Sequence, residues 1–315
     1  MAINEPKNPG PSWGYRAIHW WDTHLPTPLR NAAVAIGGAV AYALMPTQRA
    51  ASLEYLSVVF GRPARHRQGI QHFGEFTHSL LAKLRITEAT RTKIDWADEV
   101  NRERGSLLYA EEPALVGTFH VGASDLMGFT IQKVGRKVSM IRQRVSNSED
   151  IDRLLTKSGG AVEIIWVNDP SEIVFAVKDA LETGKTIAMQ CDRVEYASKT
   201  EGFDFLGAKR TFPVTIYRLA QLYERPVQFF IALPRDDSRD DFAVYASECF
   251  RPSGNRREDQ AAAHAHFQKV LNWLEALLQE QPYQWFNFLP LNPIWSADSN
   301  PPCRRKAQKP HSDAT

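Results

Sequence analysis

Ala114-Leu-Val-Gly-Thr-Phe-His120-Val-Gly-Ala-Ser-Asp125 is the stretch on which the fold of this chain turns. Ala114–Phe119 is a short apolar run of the kind that forms a buried strand. Gly122, Ala123 and Ser124 are small enough for a tight turn, and Asp125 opens a helical pattern that runs to Val134. A strand passing directly into a helix is the repeating unit of α/β proteins. The rhythm continues on the C-terminal side. Further strand-like runs lie at Lys137–Ile141, Val162–Val167, Thr186–Cys191, Val227–Leu233 and Phe242–Phe250. Helical patterns fill most intervals, at Ser148–Lys157, Ser171–Glu182 and Val214–Glu224. Ser148, Glu149 and Asp150 suit a helix N-terminus, and Gly184 sits where a helix would stop. This alternation predicts an α/β fold with a mixed, largely parallel sheet covered by helices. Asp192 to Phe212 reads as a long charged and glycine-bearing loop, a feature that in compact domains usually serves function.

On the N-terminal side the chain reads helical to about Ile86. Trp13, Ala17, Trp20 and Trp21 share one helical face, and Ala32–Met45 is an apolar stretch bounded by Pro28 and Pro46. As a helix this stretch covers roughly 20 Å, against about 30 Å for a bilayer core. It therefore predicts shallow membrane contact, re-entry or crossing with help from its flanks. The tryptophans fit a lipid boundary or packing on the rest of the protein. Ile70, Phe73, Thr77, Leu80, Leu81 and Leu84 form a stripe suited to core packing. A last helix is expected from about Arg257 to Gln281, followed by the aromatic segment Pro282–Phe288. Three regions follow: a helical, membrane-contacting region at 1–90, an α/β domain at 91–295, and a tail of disordered composition at 296–315.

Composition narrows the function classes. The 315 residues are 43% hydrophobic and 23% charged with a formal net charge of +2, so no clustered basic footprint for nucleic acid stands out. Cys191, Cys249 and Cys303 are scattered, with neither a metal-binding spacing nor a disulfide framework, which fits a reducing compartment. The Pro-rich start lacks the form of a secretory signal.

The chemistry centres on His120. Ligands of open α/β sheets bind at the carboxyl ends of strands, where His120 is expected. A carboxylate on one imidazole nitrogen fixes the tautomer and frees the other to take a proton from a hydroxyl. Asp125, five residues on, is the candidate for that carboxylate. Ser124 beside His120 raises a second reading, a serine hydrolase, but the elbow would require a second glycine where Leu126 stands. A third is a membrane-binding protein without catalysis. Arg142 and Arg144, beyond a strand end, are candidates for a phosphate contact. Asp192 and Arg193 fit either an ion pair or ligand contacts.

His120 and Asp125 in an H-x4-D arrangement after a strand, behind a membrane-seeking region, resemble the lysophospholipid acyltransferase superfamily. The resemblance spans about Trp20 to Trp285 and narrows to the lipid A late acyltransferase branch. It is carried by Ile141-Arg142 with Asn147, Gln190-Cys191-Asp192-Arg193, Phe205-Leu206-Gly207, Phe212-Pro213 and Pro282–Phe288. The forms of these pieces look nearest to relatives of aryl-polyene pathways. Val214 and Thr215 stand where relatives carry glycine, and Cys191 where lipid A enzymes carry a polar residue. These differences bear on the acceptor. The resemblance implies transfer of a fatty acyl group from an acyl carrier protein or coenzyme A thioester to a hydroxyl of a lipid or glycolipid. It implies His120 as general base and Asp125 as its partner; Arg142, which matches a family position, and Asp192 and Arg193 are the candidate substrate-binding residues. Direct attack on a thioester, already electrophilic, is expected to need no metal, no further cofactor and no covalent enzyme intermediate, and the sequence shows no metal-ligand cluster; the expected place is the cytoplasmic face of a bacterial inner membrane.

Overall fold

The computed structural model describes residues 20–21, 24–87, 93–124, 135–142, 162–166, 170–194, 199–235 and 238–295. Its centre is a seven-stranded sheet ordered β1-β9-β8-β2-β5-β3-β4. The strands are β1 (Lys93–Trp96), β2 (Leu115–Thr118), β3 (Val138–Arg142), β4 (Val162–Trp166), β5 (Thr186–Gln190), β8 (Val227–Arg235) and β9 (Ser238–Ala246). Neighbours run parallel except β8 and β9, which form an antiparallel pair. β2 and the first seven residues of β8 are buried at every position. Such unbroken runs arise where a strand is covered on both faces, the usual state of a parallel sheet. This is the mixed, largely parallel α/β architecture that the strand–helix alternation predicts.

Two parts of the chain depart from the expectations. Thr200–Phe205 (β6) and Ala208–Pro213 (β7) pair as a separate antiparallel hairpin, where a long loop is expected. Phe203 and Phe205 are buried while Asp204 faces out, a period-two pattern that the surrounding charges obscure. Leu206 and Gly207, with φ of 50° and 74°, close the hairpin in the left-handed conformation that two-residue turns require. The second departure is a strand and a helix without a clear sequence signal, β1 and α4 (Glu99–Arg104). Asp98 caps α4 by accepting from the Asn101 N–H at 2.7 Å. The patterns at Asp125–Val134 and Ser148–Lys157 lie outside the described residues, as do Asp125, Arg144 and Asn147.

Among the described residues the helices α1 (Thr27–Leu44), α2 (Pro46–Val59) and α3 (His66–Thr87) precede the sheet. Pro46 starts α2 as a first-turn proline, where its missing N–H costs nothing, and so separates α2 from α1. Arg30, Val34, Gly38 and Tyr42 recur every four residues and form the buried stripe of α1. The opposite face stays apolar and exposed: Leu29, Ile36, Val40 and Leu44 are 59%, 63%, 50% and 75% accessible. Among the described residues no helix is long and apolar enough to cross a membrane.

Beyond β4 the helices among the described residues include α5 (Pro170–Glu182), α6 (Thr215–Tyr223) and α7 (Arg256–Glu280). α7 buries Ala263, Phe267, Val270, Leu271, Leu274 and Leu278, one helical face, into the main core. That core also holds Tyr55 and Leu56 of α2, Phe119, the hairpin phenylalanines and Trp285. The helical layer and the sheet thus share apolar contacts around the end of β2.

Candidate active site

β2 ends at Thr118, and the following Phe119 is fully buried, stacked on Phe229 with ring centroids 5.4 Å apart. His120 therefore emerges at the carboxyl edge of the sheet, its side chain 16% accessible. Gly122 turns the chain there with φ of 54°, and a Cβ would meet the Ala232 carbonyl oxygen at 2.1 Å. Both the backbone angle and the space demand glycine at this point.

The turn is fastened from several directions. Gly122 N–H donates to the Gln284 carbonyl at 2.8 Å and Ala123 N–H to that of Ala232 at 2.8 Å. Phe286 N–H donates to the His120 carbonyl at 2.6 Å, and Ser79 Oγ of α3 donates to that of Gly122 at 2.7 Å. The imidazole thus projects from a backbone held by β8, α3 and the closing aromatic segment. Such support is what a group needs if its angle to a reacting atom is to be fixed.

The partner of the imidazole among the described residues is Asp192. β5 lies beside β2 in parallel with Thr118 opposite Gln190, so the residues two further on meet in register. Asp192 Oδ1 lies 2.7 Å from His120 Nδ1, and Oδ2 accepts from the His120 backbone N–H at 3.0 Å. Trp285 Nε1–H donates to the same Oδ2 at 2.8 Å. The carboxylate is wholly buried. Burial alone would push its pKa up. The adjacent His120, with its charge and hydrogen bond, and the Trp285 N–H outweigh that and hold the carboxyl below its usual range. An ionised carboxylate only accepts, so in a neutral His120 ring this contact puts the proton on Nδ1 and the lone pair on Nε2.

The other candidates fall out as follows. Arg193 Nε and Nη2 donate to the Asn287 side chain and carbonyl at 2.9 and 3.2 Å, tying the end of β5 to the closing segment. Arg142 is partly buried at the carboxyl end of β3, one strand beyond β5. Ser124 is buried, and its hydroxyl donates to the Val121 carbonyl at 2.5 Å. Asp192 thus has both oxygens engaged inside the protein, and Arg193 has donors committed to Asn287. The sequence reading has no place for Trp285 in this cluster beyond its membership of the closing motif.

Behind Trp285 stands a second histidine. His72 of α3 is buried, stacked on Phe288, with Nε2 2.9 Å from the Trp285 carbonyl and Nδ1 2.9 Å from Ser52 Oγ. Burial holds it at about 4 against an ordinary 6.5, the Trp285 hydrogen bond offsetting only part of the effect. Below pH 6.5 the unfolded chain binds a proton that the folded chain refuses, so stability present at neutral pH is lost as pH falls toward 4. At pH 5 the loss should be about 2 kcal/mol relative to pH 8. His266, also lowered by burial, adds a loss of the same sign. Urea midpoints at both pH values for wild type and His72→Gln isolate the His72 share, and the variant should show the shallower fall.

The model of the bacterial lipid A biosynthesis acyltransferases matches residues 7–291. The chain belongs to that family. The match takes in the N-terminal helices, the whole sheet, His120, Asp192 and the closing segment through Leu291. Membership makes the chain an acyltransferase that acts with an acyl donor and a lipid acceptor. No curated protein matches the sequence.

Proposed function

We propose that this acyltransferase moves a fatty acyl chain from an acyl carrier protein or coenzyme A thioester to a hydroxyl of a lipid or glycolipid, with His120 as general base. The observation that carries the proposal is the buried Asp192 carboxylate 2.7 Å from His120 Nδ1, a contact that leaves Nε2 as the proton acceptor. The acceptor O–H gives its proton to Nε2 as its oxygen attacks the thioester carbonyl carbon. The C–S bond then breaks, and the departing sulfur takes the proton from the imidazolium. Neither a metal nor an acyl-enzyme is needed, because a thioester is already electrophilic. The proposal retains Asp125 as the second carboxylate of the motif and Arg142 as a phosphate contact for donor or acceptor. The Gln190–Arg193, Phe205–Gly207 and Trp285–Phe288 forms support placement near the aryl-polyene-type relatives.

The test is an assay of the purified chain with acyl carrier protein and coenzyme A thioesters and lipid hydroxyl acceptors. Formation of an O-acyl lipid in step with thiol release supports the reading. Thiol release with free fatty acid alone, whichever acceptor is supplied, overturns it in favour of a hydrolase.

The reaction is proposed to take place at the cytoplasmic face of the inner membrane. Support comes from the exposed apolar face of α1 and from Trp20, which is 54% accessible. Fully burying an aliphatic side chain is worth about 1.5–3 kcal/mol. Replacing Ile36, Val40 and Leu44 together by Gln should therefore weaken vesicle binding by roughly a hundredfold or more without touching the core. Vesicle co-sedimentation measures this. A wild type that stays in the supernatant sinks the membrane assignment.

A further inference from the structure

Among the described residues three donors converge on the Asp192 carboxylate, and one of them has no counterpart in the proposed chemistry. The His120 ring and backbone N–H groups belong to the base itself. The third is the indole N–H of Trp285, which arrives from the segment after α7, 93 residues further along the chain. Its ring is 2% accessible and is gripped edge-on by Tyr55 and Phe205, with centroids at 4.9 and 5.7 Å. Its carbonyl is bonded to His72, its backbone bridges to Val121, and the next N–H binds the His120 carbonyl. The indole has neither room to turn nor exposure to a substrate. A tryptophan with this packing and no polar role would leave its N–H unpaired or wet, whereas here it ends on the carboxylate.

We infer that Trp285 is a positioning residue, acting on His120 through Asp192 to set both the angle and the basicity of the imidazole. The electrostatic argument is direct. With neutral His120 the pair carries one net negative charge, and with imidazolium it carries none. A donor aimed at the carboxylate stabilises the charged state preferentially and so lowers the proton affinity of the pair. Without the indole N–H, Asp192 pulls harder on the Nδ1 proton and the imidazole holds an added proton more tightly. Fewer His120 rings are then free to accept a proton in mildly acidic solution. Among the described residues no other nearby group offers an equivalent donor. Arg193 acts on Asp192 by its charge but has its guanidinium on Asn287, and the buried Cys191 thiol has its pKa raised further by burial. On the α3 side His72 faces the Trp285 carbonyl, and Glu75 meets Gln284 at 3.3 Å.

This inference rests on His120 as the base, and the experiment separates the two claims. Trp285→Phe keeps an aromatic ring against Tyr55 and Phe205 and removes the N–H. The full-length variant should show the acidic limb of its kcat/KM–pH profile moved to higher pH by on the order of half a unit. Its plateau kcat should fall on the order of tenfold from lost alignment, with KM for donor and acceptor little changed. A folded Trp285→Phe enzyme whose acidic limb stays in place or moves to lower pH overturns the inference and leaves packing as the role of this ring. If the variant does not fold, wild type carrying 6-fluorotryptophan answers the same question by ¹⁹F NMR. One resonance should titrate with the midpoint of the activity profile and go flat in His120→Ala. Absence of such a resonance also overturns the inference. An active His120→Ala enzyme would instead remove the base assignment itself. An inactive one with an unshifted Trp285→Phe profile removes only the role given to Trp285.

Discussion

Asp192→Asn should leave a folded protein that binds its substrates and turns over about 10³–10⁴-fold more slowly, as carboxylate-to-amide changes do in His-based sites. The amide is nearly isosteric, and its oxygen can still accept from the His120 backbone N–H or the Trp285 indole. Its NH₂, however, faces Nδ1 as a donor. That arrangement drives the ring proton to Nε2, where it blocks acceptance of the substrate proton. The charge that stabilises imidazolium is lost as well. Because the Asp192 carboxyl sits below its usual range, its contribution to stability disappears only as pH falls through that depressed value. The informative comparison is Asp125→Asn, assayed beside it. A ring nitrogen carries one proton, so only one carboxylate can hold Nδ1. If that group is Asp192, the Asp125 variant keeps the tautomer and loses less activity. The reverse order, with Asp192→Asn nearly unimpaired, would return the orienting role to the motif aspartate.

Why the motif aspartate was legible and Asp192 was not is a matter of sequence distance. His120 is visible because a six-residue apolar run ends just before it and small residues follow. Asp192 meets His120 only because β5 is the neighbour of β2. The sheet order skips β3 and β4, and no local pattern declares which parallel strands will adjoin. The residue type and the strand-end position are readable, so Asp192 enters as a ligand candidate, while its contact across 72 residues does not. The same holds for Trp285, readable as part of an aromatic motif but not as a donor to β5. The hairpin at Thr200–Pro213 was hidden for a different reason. Asp204, Lys209 and Arg210 lend it the charge of a loop, and its three buried phenylalanines, split between two short strands, are too few to establish an alternation. β1, with Lys93 and Asp95 alternating with Ile94 and Trp96, is a four-residue strand whose pairing with β9 comes from tertiary context. Long elements fared better. α7 and α3 carry enough turns for the 3.6-residue period to stand out, and α1 is apolar on both its buried and its exposed faces.

His120→Ala should abolish most transfer while Ser124→Ala should spare it, and the pair decides between direct transfer and an acyl-enzyme. Removing a positioned general base typically costs 10²–10⁴-fold, and His120→Ala should fall in that range. The folded state should survive, since the backbone bonds at residue 120, to Asp192 and from Phe286, do not need the ring. The Asp192 carboxylate would lose one of three donors and remain paired with two. Residual activity should not respond to pH through the range in which the wild type loses its base. Ser124 presents the opposite case. Its hydroxyl is spent on the Val121 carbonyl within its own turn, and replacing it by a methyl group removes one hydrogen bond worth about 1 kcal/mol of stability. Transfer rates in Ser124→Ala should stay within about threefold of wild type, because no step of direct attack passes through that oxygen. In a serine hydrolase the same change would remove the nucleophile and with it both transfer and hydrolysis. Both variants should therefore be assayed for O-acyl lipid and free fatty acid, with wild type quenched in acid during turnover and its mass measured. An acyl group found on Ser124, together with loss of both activities in Ser124→Ala, would replace direct attack by a covalent route in which His120 serves the serine. An unmodified wild-type chain, an active Ser124→Ala and an inactive His120→Ala are the results that direct transfer requires.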